Sequence, residues 1–96
     1  MLALMATLGA ALDGHEGPVR AIVGPADVQG DMVLRVQLLA GDTLLETGER
    51  PLELGSDLAV EVDDVRDALA TLGVDDVAVA ARFDAQGHPV DPRPLD

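Results

Sequence analysis

Short stretches in which apolar and polar residues alternate predict several strands in this chain. The clearest covers residues 32–39, where four apolar residues share one face: Met32, Leu34, Val36 and Leu38. Arg35 and Gln37 fall on the opposite face. Gly41-Asp42 then predicts a hairpin turn. Shorter runs of the same kind predict strands over residues 19–23, 43–47, 58–62 and 77–83.

Two segments carry helical spacing instead. Residues 1–12 place apolar side chains at Leu2, Met5, Leu8 and Leu12. The rest of that segment is mostly alanine, so we expect the helix to be buried on more than one face. Its length of about 18 Å is short of the roughly 30 Å apolar core of a membrane, and a signal peptide would need a positive start that is missing.

The second helix is predicted near residues 64–72. Its apolar stripe consists of Val65, Ala68, Leu69 and Leu72. Asp63 or Asp64 is expected to cap the start, and Gly73 stands where a helix-ending glycine belongs.

The order of these elements predicts an α+β fold. We expect a small antiparallel or mixed sheet of four to five strands, with an N-terminal helix and the second helix near residues 64–72. A small β-sandwich is the alternative, because glycines separate short strands at close spacing. Residues 1–90 are predicted to form a single domain, and residues 91–96 a proline-rich tail.

Composition narrows the choice of partners. The chain has 96 residues and a net charge of −12, from 18 acidic and 6 basic residues. This balance disfavours binding to nucleic acid and to anionic membranes, and favours a basic protein partner. The absence of cysteine excludes disulfides and thiol chemistry, and fits a reducing cytoplasm. Phe83 is the only aromatic residue, so valine, leucine and alanine must fill the core.

Residues suited to catalysis are scarce. Ser56 is the only serine and lies outside any nucleophile motif, and no glycine pattern predicts a phosphate site. Two groups of polar residues could hold a cation: Asp13 with His15 and Glu16, and Asp84 with His88 and Asp91. Turn aspartates that bond their own backbone are the other interpretation. We therefore predict no catalytic residue, no cofactor and no bound metal.

Residues 52–76, LELGSDLAVEVDDVRDALATLGVDD, resemble the segment of acyl carrier proteins around the phosphopantetheine serine. That family is small and acidic, and its pattern is Asp-Ser-Leu at a helix start. Here Ser56 precedes Asp57, so the order is reversed. The family is also an all-helical bundle, whereas residues 19–47 predict strands.

The leading functional hypothesis is a non-enzymatic protein–protein interaction module. It would serve as a subunit of a homo-oligomer such as a homodimer, an accessory protein, or an acidic inhibitor of a basic partner. Leu2, Met5, Leu8 and Leu12 are the predicted interface, and completion of the monomer core is the competing role for them. The alternative function is a small metal- or ligand-binding protein that uses the His15 or His88 loops.

Overall fold

The computed structural model describes residues 2–14, 17–53, 55 and 57–94, and it describes side chains from residue 8 onward. The described chain folds into two helices and seven strands. The elements are α1 (Leu2–Asp13), β1 (Arg20–Val28), β2 (Asp31–Ala40), β3 (Thr43–Pro51), α2 (Leu58–Thr71), β4 (Asp76–Val79), β5 (Arg82–Phe83), β6 (Pro89–Val90) and β7 (Arg93–Pro94). The predicted α+β class is confirmed, and the β-sandwich alternative is wrong. Neither described helix has the length and apolar character required to cross a membrane.

Five strands form one mixed sheet in the order β3-β2-β1-β4-β7. Strands β1, β2 and β3 are joined by hairpins and run antiparallel, whereas β4 lies parallel to β1. The chain reaches β4 through α2, as a parallel connection requires. Strands β5 and β6 pair as a separate small hairpin. The resemblance of residues 52–76 to an all-helical family therefore does not extend to the fold.

The main core lies between the two helices and one face of the sheet. Because side chains alternate along a strand, Ala21 and Val23 of β1 share this face with every second residue of β2. Both helices contribute fully buried leucines to the same cluster, Leu8 from α1 and Leu69 from α2. The remaining buried members are Leu34, Val36, Leu38, Val62, Val65, Val74 and Val77.

A second, smaller core lies on the opposite face of the sheet. Phe83 of β5 packs there over Ile22 and Ala26 of β1, with Ala78 and Ala80 beside them. The short hairpin thus covers the β1–β4 side of this face. Phe83 is buried in this core, whereas the predicted strand over residues 77–83 breaks after Val79 and leaves Ala81 exposed.

Helix α2 begins earlier than its stripe predicted. Asp57, not Asp63 or Asp64, is the N-cap, and its Oδ1 accepts the backbone N–H of Ala59 at 3.0 Å. The predicted strand over residues 58–62 is therefore wrong. Its alternation fits a helix equally well, because Leu58 and Val62 are four residues apart and lie on one helical face.

Strand β1 also runs further than predicted. Gly24-Pro25 does not end it, since pairing with β2 continues to Val28. Strand β4 pairs only with residues 20–23, so the N–H that Pro25 lacks is not needed for pairing with β4. At the other end of the sheet, residues 93–94 of the proline-rich tail form β7 and pair with β4.

The outer edge of β3 lacks two of the donors that a pairing strand would need. The N–H of Leu52 donates to Met32 of β2 at 3.0 Å, which places the even-numbered backbone groups here toward β2 and the odd-numbered ones outward. Of the outward groups, the N–H of Thr47 donates to Oε1 of Glu46 at 3.0 Å. Pro51 has no N–H to offer.

Candidate binding groove on the open face of the sheet

The hairpin leaves the β2–β3 side of its face open, and a groove lies there. Three cross-strand pairs form its floor and margins: Arg35 with Glu49, Gln37 with Thr47, and Leu39 with Leu44. The first two pairs are polar, and the third, near the β2–β3 turn, is apolar. The groove has a volume of about 510 Å³, and residues 86–89 form one wall.

The wall is a turn organised by Asp84. Its Oδ1 accepts the backbone N–H groups of Gln86 at 3.0 Å and of His88 at 2.8 Å. The bond from His88 holds the pKa of the Asp84 carboxyl below its ordinary value of 3.8, because it favours the charged form. Asp84 is thus a structural turn residue, one of the two interpretations its sequence context left open.

Gln37 joins the wall to the floor. This residue of β2 is only 7% exposed, and its Nε2 donates to the carbonyl oxygen of Gly87 at 2.7 Å. A buried amide without a partner would cost about 1–3 kcal/mol, so this bond favours one position of the turn. The groove therefore has a fixed wall on the side of β2.

Arg35 is held from two directions. Its Nε and Nη2 atoms both lie 2.7 Å from Oε2 of Glu49, its cross-strand neighbour. Its guanidinium carbon lies 5.1 Å from the centre of the Phe83 ring. This combination of a paired charge and an aromatic contact restrains the side chain and neutralises its charge.

The end of the groove near the β2–β3 turn is apolar and acidic. Leu44 is 50% exposed, although most residues of its size and type are buried. Leu39 lies beside it and is half-buried, and Asp42 of the turn is exposed. This end can accept an apolar side chain next to a positive charge.

The predicted interface residues lie on the other side of the sheet. Leu8 is fully buried in the main core, and Leu12 is partly buried against it. The side chains of Leu2 and Met5 lie outside the described part of the chain. The proposal that these four residues contact a partner therefore stays a prediction.

The structure does not bring the second predicted cation cluster together. His88 is 78% exposed, and its Nδ1 lies 3.8 Å from Asp84, while Asp91 pairs with Arg93 at 3.2 Å. Within residues 2–14, 17–53, 55 and 57–94, no group of three or more histidine and carboxylate residues could hold a metal ion. His15 and Glu16 of the first cluster, and Ser56, lie outside these residues.

The sequence pattern does not predict the groove. Arg35 and Gln37 lie on the strand face opposite the apolar residues of β2, as the alternation predicts, but nothing in the pattern indicates that a hairpin 50 residues away forms a wall on that face. The signal present in the sequence is the pair of leucines, Leu39 and Leu44, on either side of the predicted turn.

Comparison with protein-family models, with curated proteins and with solved structures finds no match to this chain.

Proposed function

We propose that this protein is a non-enzymatic interaction module that binds a basic partner protein through the groove. The observation that carries the proposal is the exposed Leu44, paired with the half-buried Leu39 beside carboxylates, on a chain of net charge −12. An exposed apolar surface with a polar rim is typical of protein-binding sites.

Charge favours a basic partner over a second copy of the chain. Two molecules that each carry −12 repel one another as they approach, whereas a basic protein is attracted and steered toward contact. The attraction acts over about 8 Å at physiological ionic strength, so it assists the encounter and leaves affinity to the groove itself. Of the roles considered, an accessory protein or an inhibitor of a basic partner fits best.

The engagement of the groove's polar residues supports binding over catalysis. Arg35 is paired with Glu49, Gln37 is bonded to Gly87, and Asp84 maintains the turn. A catalytic group needs a proton or an electron pair directed at a substrate. The contacts of these three side chains instead fix the floor and the wall of the groove.

Two further elements of the proposal rest on the sequence. Leu2 and Met5 at the start of α1 remain proposed contact residues, in addition to the groove. A cytoplasmic location is proposed because the chain contains no cysteine.

Affinity capture tests the proposal. The immobilised protein is exposed to an extract of its host cell, and the retained proteins are identified by mass spectrometry and eluted with rising salt. A variant with Asp63, Asp64 and Asp67 of α2 changed to asparagine is the control, because it lowers the charge away from the groove. We expect the retained proteins to be basic, to bind both the parent protein and the control variant, and to elute as the salt concentration rises.

A retained set no more basic than the extract would refute the proposal. Light scattering at high protein concentration supplies the second test. A stable dimer would favour the homo-oligomer role instead.

A further inference from the structure

We infer that the groove binds a partner segment in which an apolar side chain is flanked on both sides by arginine or lysine. This inference rests on the proposed function and adds the chemistry of the ligand. The apolar residue would lie on Leu39 and Leu44. The two cations would meet Asp42 at the turn and Glu49 further along β3.

Glu49 has an oxygen left for a ligand. Both contacts of Arg35 go to Oε2 of this carboxylate, at 2.7 Å each. Oε1 is the atom that a ligand's guanidinium or ammonium group would meet. Because the Arg35–Glu49 pair is already formed, the carboxylate is held in place before the ligand arrives, which lowers the entropic cost of binding.

Strand geometry sets the spacing of the ligand. Asp42, in the turn, comes two residues before Leu44. Glu49 lies about 13 Å beyond Leu44, because the two face Leu39 and Arg35, which are four residues apart on β2 at about 3.3 Å each. An extended ligand advances by the same amount per residue. The matching segment thus has one cation about two residues from its apolar residue and the other about four or five residues away on the opposite side.

Charge excludes the opposite kind of ligand. The lining contains two carboxylates, Asp42 and Glu49, against one arginine, Arg35, so the carboxylates outnumber the arginine by one. An acidic peptide would place its carboxylates against these groups in a surface of the same sign, and such contacts are repulsive.

Two probe peptides separate the apolar requirement from the charge requirement. Both carry arginines at the inferred spacing. At the apolar position between the arginines, one peptide has leucine and the other has serine. Binding of each to the intact protein is measured by isothermal titration calorimetry. We expect the leucine peptide to bind at least about tenfold more tightly, because burying one leucine contributes about 1.5–3 kcal/mol.

Matched substitutions locate the site. Thr47→Arg places a bulky cation in the groove, whereas Thr71→Arg makes the same change on α2, beyond the opposite face of the sheet. Both variants have the same net charge. We expect Thr47→Arg to weaken binding of the leucine peptide by about tenfold or more, and Thr71→Arg by less than about twofold.

A third variant, Leu44→Ser, keeps the test informative if Thr47→Arg fails to fold. Leu44 is half-exposed, so its replacement spares the core. We expect this variant to bind the two peptides equally. Equal weakening by both threonine variants, or equal binding of both peptides to the intact protein, would overturn the inference. If Thr47→Arg weakens the capture of basic proteins from extract while the intact protein binds both peptides equally, the inference fails and the proposed function stands. If Thr47→Arg leaves that capture unchanged, both fail.

Discussion

Replacing Gly24 by alanine probes a close approach between two backbone segments. Gly24 lies in β1, where the chain leaving β4 crosses it at residue 80. A Cβ atom on residue 24 would stand 2.7 Å from the carbonyl oxygen of Ala80 and 3.2 Å from its Cβ. The first distance is well inside van der Waals contact, and the atom it meets is backbone. One of the two chain segments must move.

The expected change in the free energy of unfolding is the difference between two opposing contributions. Overpacking of a well-packed site costs about 1–3 kcal/mol. Removing a glycine from a strand returns about 0.5–1 kcal/mol, because the unfolded chain loses freedom. We therefore expect the free energy of unfolding to fall by about 1–2 kcal/mol, and Tm by roughly 5–15 °C for a domain of this size.

Gly9→Ala is the matched control, since the same methyl group is added in α1. There the new Cβ would lie 3.7 Å from Cδ2 of Leu72, which is ordinary contact. Alanine is favoured over glycine in a helix by about 0.8–1 kcal/mol, so we expect this variant to be more stable than the parent. Urea and thermal unfolding, followed by far-ultraviolet circular dichroism, measure both changes. If Gly24→Ala is as stable as the parent, the close crossing is refuted.

Three further substitutions test other parts of the structure. Leu8→Ala should lower the free energy of unfolding by about 2–5 kcal/mol in urea titration, because it empties a fully buried position; a loss under about 1 kcal/mol would contradict that burial. Asp57→Ala should cost about 1 kcal/mol by removing the cap of α2, whereas the exposed Asp67→Ala should cost little; equal losses would argue against the cap. Asp84→Asn should be less stable than the parent at neutral pH. The difference should vanish as pH falls through the lowered pKa of Asp84, below 3.8, because the parent then loses the same charge. A difference that persists in strong acid would show that the charge is not its source.

Much of the fold could be predicted because short-range pattern determines it. The alternation over residues 32–39 and the turn at Gly41-Asp42 correspond to β2 and its hairpin with β3. The helical stripe through Val65 and Leu69 faces the core as expected. The predicted start of α2 is too late because residues 58 and 62 fit both the alternation of a strand and the i, i+4 spacing of a helix; only Val60, which is exposed on α2, fits the strand alone. The cap at Asp57, which decides between them, gives only a weak signal in sequence.

The groove could not be predicted, because it depends on contacts between distant parts of the chain. Gln37 and Gly87 meet only once β4 has returned beside β1 and the hairpin has folded back over the sheet. Neither residue type indicates such a bond on its own. The sequence predicts a polar turn around Asp84, whereas the place of this turn as the wall of the groove follows from topology.

The missing donors on the outer edge of β3 affect how readily strands of other molecules can pair with it in concentrated solution. Sheets with a bare outer strand recruit like strands from their neighbours and grow into aggregates. Here the side chain of Glu46 accepts one outward N–H and Pro51 has none to offer, so an incoming strand would find two of the outward donors missing. Strand β3 is therefore a poorer template for intermolecular sheets than an edge strand whose outward N–H groups are all free.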